Sequence, residues 1–442
     1  MPKTYDDLPT VPFPEDGVIR GLLPSYLAQV SLEHGPIFKL QTDTEGDFVF
    51  MVGPEANRFV LHTHREHFSH RQGWTPILGD WMGQGLLNMD PPEHTLHRRL
   101  MNPAFTSSYL ASYLPEMRRV VAERTRSWPA EGIVDLQIEA REIAFDVAAA
   151  ALVGLETGAD ADRLRELFNS LLHGFDSDVE TFDLFLQEKQ RRSSELDSLL
   201  LPLIAARRLV SDTDQPRDVL AKIIHARDES GDELSDEQLL AHVKILLVAG
   251  HETTTTLASW TLALLARWPE HQARVEAELA ALNLPSSEDV PLEGLRSLHV
   301  LDGFVRETGR LYSPVLNVPR GVLQEFEFGG YVIPKRVPVR LAIAAGHRLP
   351  AVFRDPEVFA PERFDPPRDE DARTPYGLIT FGAGPRTCIG MTFAQLEVKT
   401  LVAHVLRNHH LELLDDDRRV YAGFWTGFVP TGLPVRVTPR HA

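Results

Sequence analysis

Residues 235–268 carry the pattern that most restricts how this chain can fold. Ser235-Asp-Glu-Gln238 has the spacing of a capping box, in which a serine hydroxyl and a glutamine side chain satisfy each other's backbone amides at a helix start. Leu239, Leu240, Val243, Leu246, Leu247, Leu257, Leu264 and Leu265 then recur at helical period until Pro269 stops the run. A helix of roughly 30 residues spans about 45 Å, enough to cross the whole molecule. Its centre, Ala249-Gly-His-Glu-Thr-Thr254, breaks the apolar pattern. Glycine and an acid are unfavourable in the apolar middle of a helix, and such local violations concentrate where function requires them. Gly250 leaves room for a flat group to press on the helix. Thr253 can return its hydroxyl to the Ala249 carbonyl and bend the helix into a groove, and Glu252 beside it can gather protons. Read alone, the same residues make a satisfied polar patch between packed helices.

The second constraint is the stretch Phe381-Gly-Ala-Gly-Pro-Arg-Thr-Cys-Ile-Gly390, which holds the only cysteine in 442 residues. Cys388 follows a turn made by Gly382, Gly384 and Pro385 and opens a helical pattern through Ile389, Phe393, Leu396, Leu401 and Val405. A thiol at a helix N-terminus has its pKa lowered by the unpaired amides there, so it becomes a metal ligand. The glycines let backbone N–H groups approach the sulfur, Phe381 can shield it from water, and Arg386 has the fork geometry to bind a carboxylate. A lone cysteine without this setting is ordinarily a small buried hydrophobe.

Composition sets outer limits. The formal charge is 45 − 63 = −18 and the pI about 5.5, which argues against a nucleic-acid partner. One cysteine permits no intrachain disulfide, as expected in a reducing cytoplasm. Residues 1–30 are interrupted by acids and prolines and offer neither a signal peptide nor a membrane anchor. A cytoplasmic protein is expected.

Along the chain, Leu22–His34 reads as a helix, Ile37–Leu40 and Phe48–Val52 as strands, and Pro54 as the start of another helix. Gly73–Met89, rich in glycine, tryptophan and methionine, reads as an adaptable apolar loop. After Pro91-Pro92 a helix is expected with His94 and Arg98 on one face, a spacing usual for a solvated surface. Helical pattern dominates from Ser108 to Leu234, and no fixed-period repeat is visible. Glu307 and Arg310 stand at i and i+3, with Arg363 some fifty residues on, so that a buried charge network is possible. Pro319–Leu323, Phe326–Val332 and Pro338–Ala342 read as strands, with Arg320 near the start of the first. Val420–Val437 reads as a hairpin region whose Phe424, Trp425 and Phe428 can line an apolar pocket.

Four of these stretches together resemble the cytochrome P450 family: the cysteine window, Ala249–Thr253, Glu307-Thr-Gly-Arg310, and Pro361-Glu-Arg-Phe364. The resemblance implies a mainly α fold with small β-sheets, with a long central helix over a heme and the thiolate loop on the opposite face. It implies a single domain over 1–442, with a β-containing part at roughly 22–65, 315–345 and 420–438 and a helical part at 90–313 and 388–410. It implies heme b held by Cys388, with Phe381 and Gly382 in the thiolate loop. Arg386, His94, Arg98 and Arg320 become propionate partners, with His97 and Arg99 facing outward. Gly250, Glu252 and Thr253 become the oxygen-activating group, and Leu164–Leu209 a mobile lid. The implied activity is insertion of one oxygen atom from O2 into a lipophilic small molecule, with electrons from a separate ferredoxin or flavodoxin and its reductase. Arg98, Arg99, Arg118 and Arg119 would form a cationic patch for that partner. A peroxide-driven peroxygenase and a non-catalytic heme sensor on the same fold stay open.

Overall fold

The computed structural model describes residues 2–14, 23–42, 46–129, 131–173, 182–211, 215–285, 287–414, 420–422, 428–430 and 432–440. In chain order, β1 (Thr10–Pro12) and α1 (Leu23–His34) precede the antiparallel pair β2 (Ile37–Thr42) and β3 (Gly46–Met51). α2 (Pro54–Arg58) runs into a π turn, Phe59–Thr63, and β4 (Phe68–Ser69) into α3 (His70–Leu78). The principal helices that follow are α4 (Glu93–Met101), α5 (Ser107–Thr125), α6 (Leu136–Val153), α7 (Ala159–His173), α8 (Phe182–Arg208) and α9 (Asp236–Arg267). β5 (Gly132–Asp135) lies between α5 and α6. α10 (Pro269–Ala280) and α11 (His299–Leu311) lead to β6 (Val318–Val322), β7 (Phe326–Phe328), β8 (Tyr331–Ile333) and β9 (Pro338–Leu341). α12 (Met391–Asn408), β10 (His409–Leu413), β11 (Val420–Ala422), β12 (Phe428–Pro430) and β13 (Pro434–Pro439) complete the chain.

Two compact units make up the chain. The first contains 1–73, 121–141 and 253–442, and the second 74–120 and 142–252. The expected β-containing segments, 22–65, 315–345 and 420–438, all fall in the first unit. Its six-stranded sheet has the order β1-β2-β3-β9-β6-β4. Phe48 and Phe50 enter one apolar core and Val49 and Met51 the other, so both faces of β3 are covered. That is why the strand reads as a continuous apolar run rather than an alternation. β13 pairs with β10 and β5 in a second sheet, and only β11 and β12 form the expected hairpin. β5 escaped the sequence because four residues between two long helices give no period to read. Phe424 and Trp425 lie outside the described residues.

The second unit is helical. The expected loop at Gly73–Met89 is partly regular: α3 occupies its start, a 3₁₀ turn covers Asp80–Met82, and Trp81, Met82, Leu86 and Met89 are buried. Its apolar residues are core, and the glycines serve the approach to α9, since a Cβ at Gly85 would stand 3.0 Å from the Ala241 carbonyl oxygen. Lys244, buried on α9, donates to the Trp81 carbonyl at 2.7 Å and pairs with Asp197 on α8, which ties three elements through one ammonium. No described helix is long and apolar enough to cross a membrane.

Candidate active site

The cysteine window forms a tight, self-bonded loop. The Gly382 amide donates to the Ile379 carbonyl and the Cys388 amide to the Phe381 carbonyl, each at 2.8 Å. Gly382 and Gly384 sit at φ +71° and +64°, in the left-handed region that glycine enters without strain. A Cβ at Gly384 would also stand 2.6 Å from the Leu61 carbonyl oxygen. α12 starts at Met391 with Gly390 as its N-cap, so Cys388 lies two residues before the cap rather than opening the helix. The cysteine is exposed, contrary to the buried hydrophobe that a lone cysteine usually is, and Phe381, Gly382 and Arg386 are half-buried around it.

This loop is braced from buried charge. On α11, Arg310 makes a two-pronged bond to Glu307, with Nε and Nη2 each 2.8 Å from a carboxylate oxygen. Arg363 Nε adds a bond of 2.9 Å to Glu307, and its Nη1 reaches Glu370 at 2.6 Å. Glu307, Arg310 and Arg363 are fully buried, and each guanidinium there meets a carboxylate, which leaves no buried charge of the cluster unmatched. Burial works against ionised Glu370, but its bonds from Arg368 and Arg363 win and hold its pKa below the ordinary value. Arg310 Nη1 also donates to the His347 carbonyl at 2.9 Å, and the His347 ring nitrogen Nε2 accepts from the Ile379 amide at 3.0 Å. Burial, with Arg310 and Arg348 nearby, pushes His347 down to about 3, so its ring stays a neutral acceptor. A continuous chain of bonds thus runs from Glu307 through Arg310 and His347 to the root of the cysteine loop. Sequence spacing showed Glu307, Arg310 and Arg363. It gave no sign of Glu370 or His347, which reach the cluster only through the fold.

α9 keeps the expected cap, with the Ser235 amide donating to Gln238 at 2.9 Å and the Gln238 amide to Ser235 at 3.2 Å. Ala241–Val248 and Thr254–Ala266 are buried throughout, yet between them Ala249 is exposed and Thr253 half-buried. Four residues apart, the two share one face, so between its two buried stretches the helix opens at its polar centre. Gly250 does not serve that face. A Cβ there would meet Leu152 Cδ1 at 3.0 Å and Ala148 at 3.5 Å, so its missing side chain lets α6 close on α9, in place of the flat group expected against it. Glu252 is nearly buried, and the fully buried His251 brings Nε2 to 2.9 Å from its Oε1.

On α4, His94 is buried and Arg98 half-buried. His97 is not outward as expected: it is 2% exposed, and its Nδ1 lies 2.7 Å from Nε2 of the buried His242 on α9. Burial lowers the pKa of His97. Arg99 is exposed but paired with Glu229, and Arg119 bonds Glu116 at 2.6 Å, so two members of the expected cationic patch are matched within the chain. Arg320 is buried on β6, where its Nη1 donates to the Pro319 carbonyl at 2.7 Å, although an arginine opening a strand is usually exposed. Cys388, Phe381, Gly382, Arg386, Arg320 and Thr253 thus belong to the first unit, and His94, Arg98, Gly250 and Glu252 to the second.

Residues 16–436 match the sequence profile of the family described as Cytochrome P450. Cytochrome P450 136 of Mycobacterium tuberculosis is 32% identical over 400 residues, 89% of this chain and 80% of its own. Sterol 14α-demethylase of Mycolicibacterium vanbaalenii is 27% identical over 376 residues, 83% of this chain and 82% of its own. The solved structure of retinoic acid-bound cyanobacterial CYP120A1 matches with a TM-score of 0.84 and 27% identity, over 99% of this chain and 100% of that one. With an exposed cysteine on a glycine-turned loop, an acid–threonine break in a long helix and a profile match over nearly its whole length, the chain belongs to the cytochrome P450 family of heme-thiolate monooxygenases.

Proposed function

We propose that this protein would hold heme b through the Cys388 thiolate as a ligand to its iron, and would use O2 and electrons from a separate ferredoxin or flavodoxin to oxygenate a lipophilic small molecule. The whole chain, 1–442, is then one working P450 domain. The observation that carries the reading is the accessible thiol of Cys388 at the end of a loop anchored, through His347, on a buried charge cluster. A soft sulfur donor held on a stiff loop fits heme iron.

The heme, when bound, supplies dioxygen activation, and a thiolate ligand favours O–O cleavage by donating electron density to the iron. The chain's own residues do the rest. Gly382 keeps the loop tight enough for backbone amides to face the sulfur, and Phe381 screens it from water. Arg386, Arg320, His94 and Arg98 would bind the propionates. Gly250 lets α6 fix the turn of α9 that carries the Glu252 carboxyl and the Thr253 hydroxyl, which hold and move protons at the open face of the helix. That adjacent acid and hydroxyl favour reductive O2 chemistry over a peroxide-driven route. The aromatics Trp81 and Phe145, whose ring centroids lie 6.1 and 6.3 Å from that of Phe168, suit an apolar substrate. So do the retinoic acid of the cyanobacterial structure and the sterol of the mycobacterial relative.

The purified protein, reduced under carbon monoxide, should show the strongly red-shifted band of a thiolate-ligated heme, and Cys388→Ala should lose it. Absence of the band from heme-loaded wild type would sink the assignment.

A further inference from the structure

Asp80–Met82 forms a single 3₁₀ turn with Trp81 at its middle, and a left-handed glycine stands on each side of it, Gly79 at φ +75° and Gly83 at φ +69°. Glycine changes backbone angle at little cost, so the turn is hinged at both ends. Its internal bonds are long, from the Met82 amide to the Gly79 carbonyl at 3.4 Å and from the Gly83 amide to the Asp80 carbonyl at 3.2 Å. Among the described residues, one hydrogen bond ties Asp80–Met82 to another helix, the 2.7 Å bond from Lys244 on α9 to the Trp81 carbonyl. The Trp81 ring adds an apolar contact to Phe168 on α7, with centroids 6.1 Å apart.

Beyond the turn the chain lies directly on α9. A Cβ at Gly83 would stand 3.1 Å from that of Ala241, and one at Gly85 would stand 3.0 Å from Ile245 Cγ2. The buried Asn88 closes this bend, accepting from the Gly85 amide and donating to the Gly83 carbonyl at 2.9 Å each. Ala241, Ile245 and Ala249 recur every four residues along one side of α9. The segment therefore rests one turn before the exposed Ala249, and its position decides how that side of the helix is reached.

The same Lys244 ammonium stands against the Asp197 carboxylate on α8. The two ends of this pair differ: the lysine side chain is 4% exposed and the aspartate 34%. If α8 withdrew alone, water would take up the carboxylate, but the ammonium would stay in the interior without its countercharge, which is strongly unfavourable. It avoids that state only by coming out with the turn it holds. The turn and α8 are thus released together or not at all.

We propose that Lys244 is a positioning residue that locks the Gly79–Met89 segment and α8 to one another, so that an apolar molecule reaches the Ala249 side of α9 only when both move. This rests on the proposed oxygenation of a lipophilic molecule at that side and adds the tie that admits it.

The test uses the heme-loaded, full-length protein and two readouts. The first is amide hydrogen exchange over residues 79–85, followed by mass spectrometry. K244M keeps the length of the side chain but removes its charge and its donor, and the turn should exchange about tenfold faster. Asp197 has no bond to the turn, yet D197N should speed exchange there as well, while D197E, which keeps the carboxylate, should stay near wild type. Added to K244M, D197N should change nothing further. The second readout is the entry of phenylimidazole, an apolar ligand of heme iron, followed by stopped flow. Binding and release should both be about fivefold faster in K244M and D197N, with Kd nearly unchanged. Should K244M fold poorly, D197N alone carries both readouts. Exchange over 79–85 indifferent to D197N, or entry rates unchanged in both variants, overturns the proposal. Loss of the carbon monoxide band in wild type would instead overturn the heme-thiolate reading beneath it, and the exchange measurement would still decide the tie.

Discussion

Glu307 accepts bonds from two guanidiniums and from the Ala360 amide while fully buried, which makes it the residue whose loss the fold tolerates least. Removing the carboxylate leaves Arg310 without a carboxylate in the interior and Arg363 with Glu370 alone. Glu307→Ala should therefore cost about 3–5 kcal/mol, read as a lower denaturant midpoint. Heme retention should fall with it, since the Arg310–His347 link to the cysteine loop goes slack. An unchanged midpoint would mean the cluster is decoration. The sequence displays Glu307 and Arg310 as a helical i, i+3 pair and Arg363 in a proline-bounded run. Glu370 and His347 carry no local signature, because an acid in a polar turn and a histidine near a strand end look the same whether buried or solvated.

At the scale of elements, α9 is the best-read part of the chain, and its centre the least obvious. Its cap, length and apolar period all stand in the sequence. Which face its glycine serves does not, because a period tells that a side is buried and not what covers it. Gly250 packs against Leu152 on α6. Gly250→Val should thus overpack that contact and destabilise by about 1–3 kcal/mol. Leu152→Ala in the same chain should recover part of the loss, measured as a double-mutant cycle in urea. Equal costs with and without Leu152→Ala would place the glycine's role elsewhere. The same limit accounts for His97: charged neighbours made its helix look like a solvated face, and only packing pairs it with His242.

Over the whole molecule, buried titratable groups set how stability depends on pH. His347 and His242 are pushed from 6.5 to about 3, His347 by burial with Arg310 and Arg348, and His242 by burial with His97. Below pH 6.5 the unfolded chain binds protons that the native one does not, so stability falls toward pH 3, each histidine contributing at most about 1.4 kcal/mol per pH unit. Glu397 acts in the opposite sense. Fully buried on α12 with neither carboxyl oxygen hydrogen-bonded, it is held protonated well above its ordinary 4.5. The unfolded chain releases that proton as pH rises past 4.5, so stability is lost from there upward. Glu397→Gln, neutral at every pH, should raise the urea midpoint at about pH 8 and leave it nearly unchanged at about pH 4. A gain of the same size at both would show that burial does not govern this acid.

By itself the sequence determined the long capped helix α9, the strand segments, the glycine-turned cysteine loop and the charged residues that brace it. Capping, periodicity and turn chemistry are local, and they are written in spacing. The tertiary structure alone decided that Cys388 is exposed, that the middle of α9 opens at Ala249 and Thr253, that Gly250 packs on α6, and that His251 lies against Glu252. Those outcomes depend on which distant side chain arrives at which atom, and no spacing along one chain encodes that meeting.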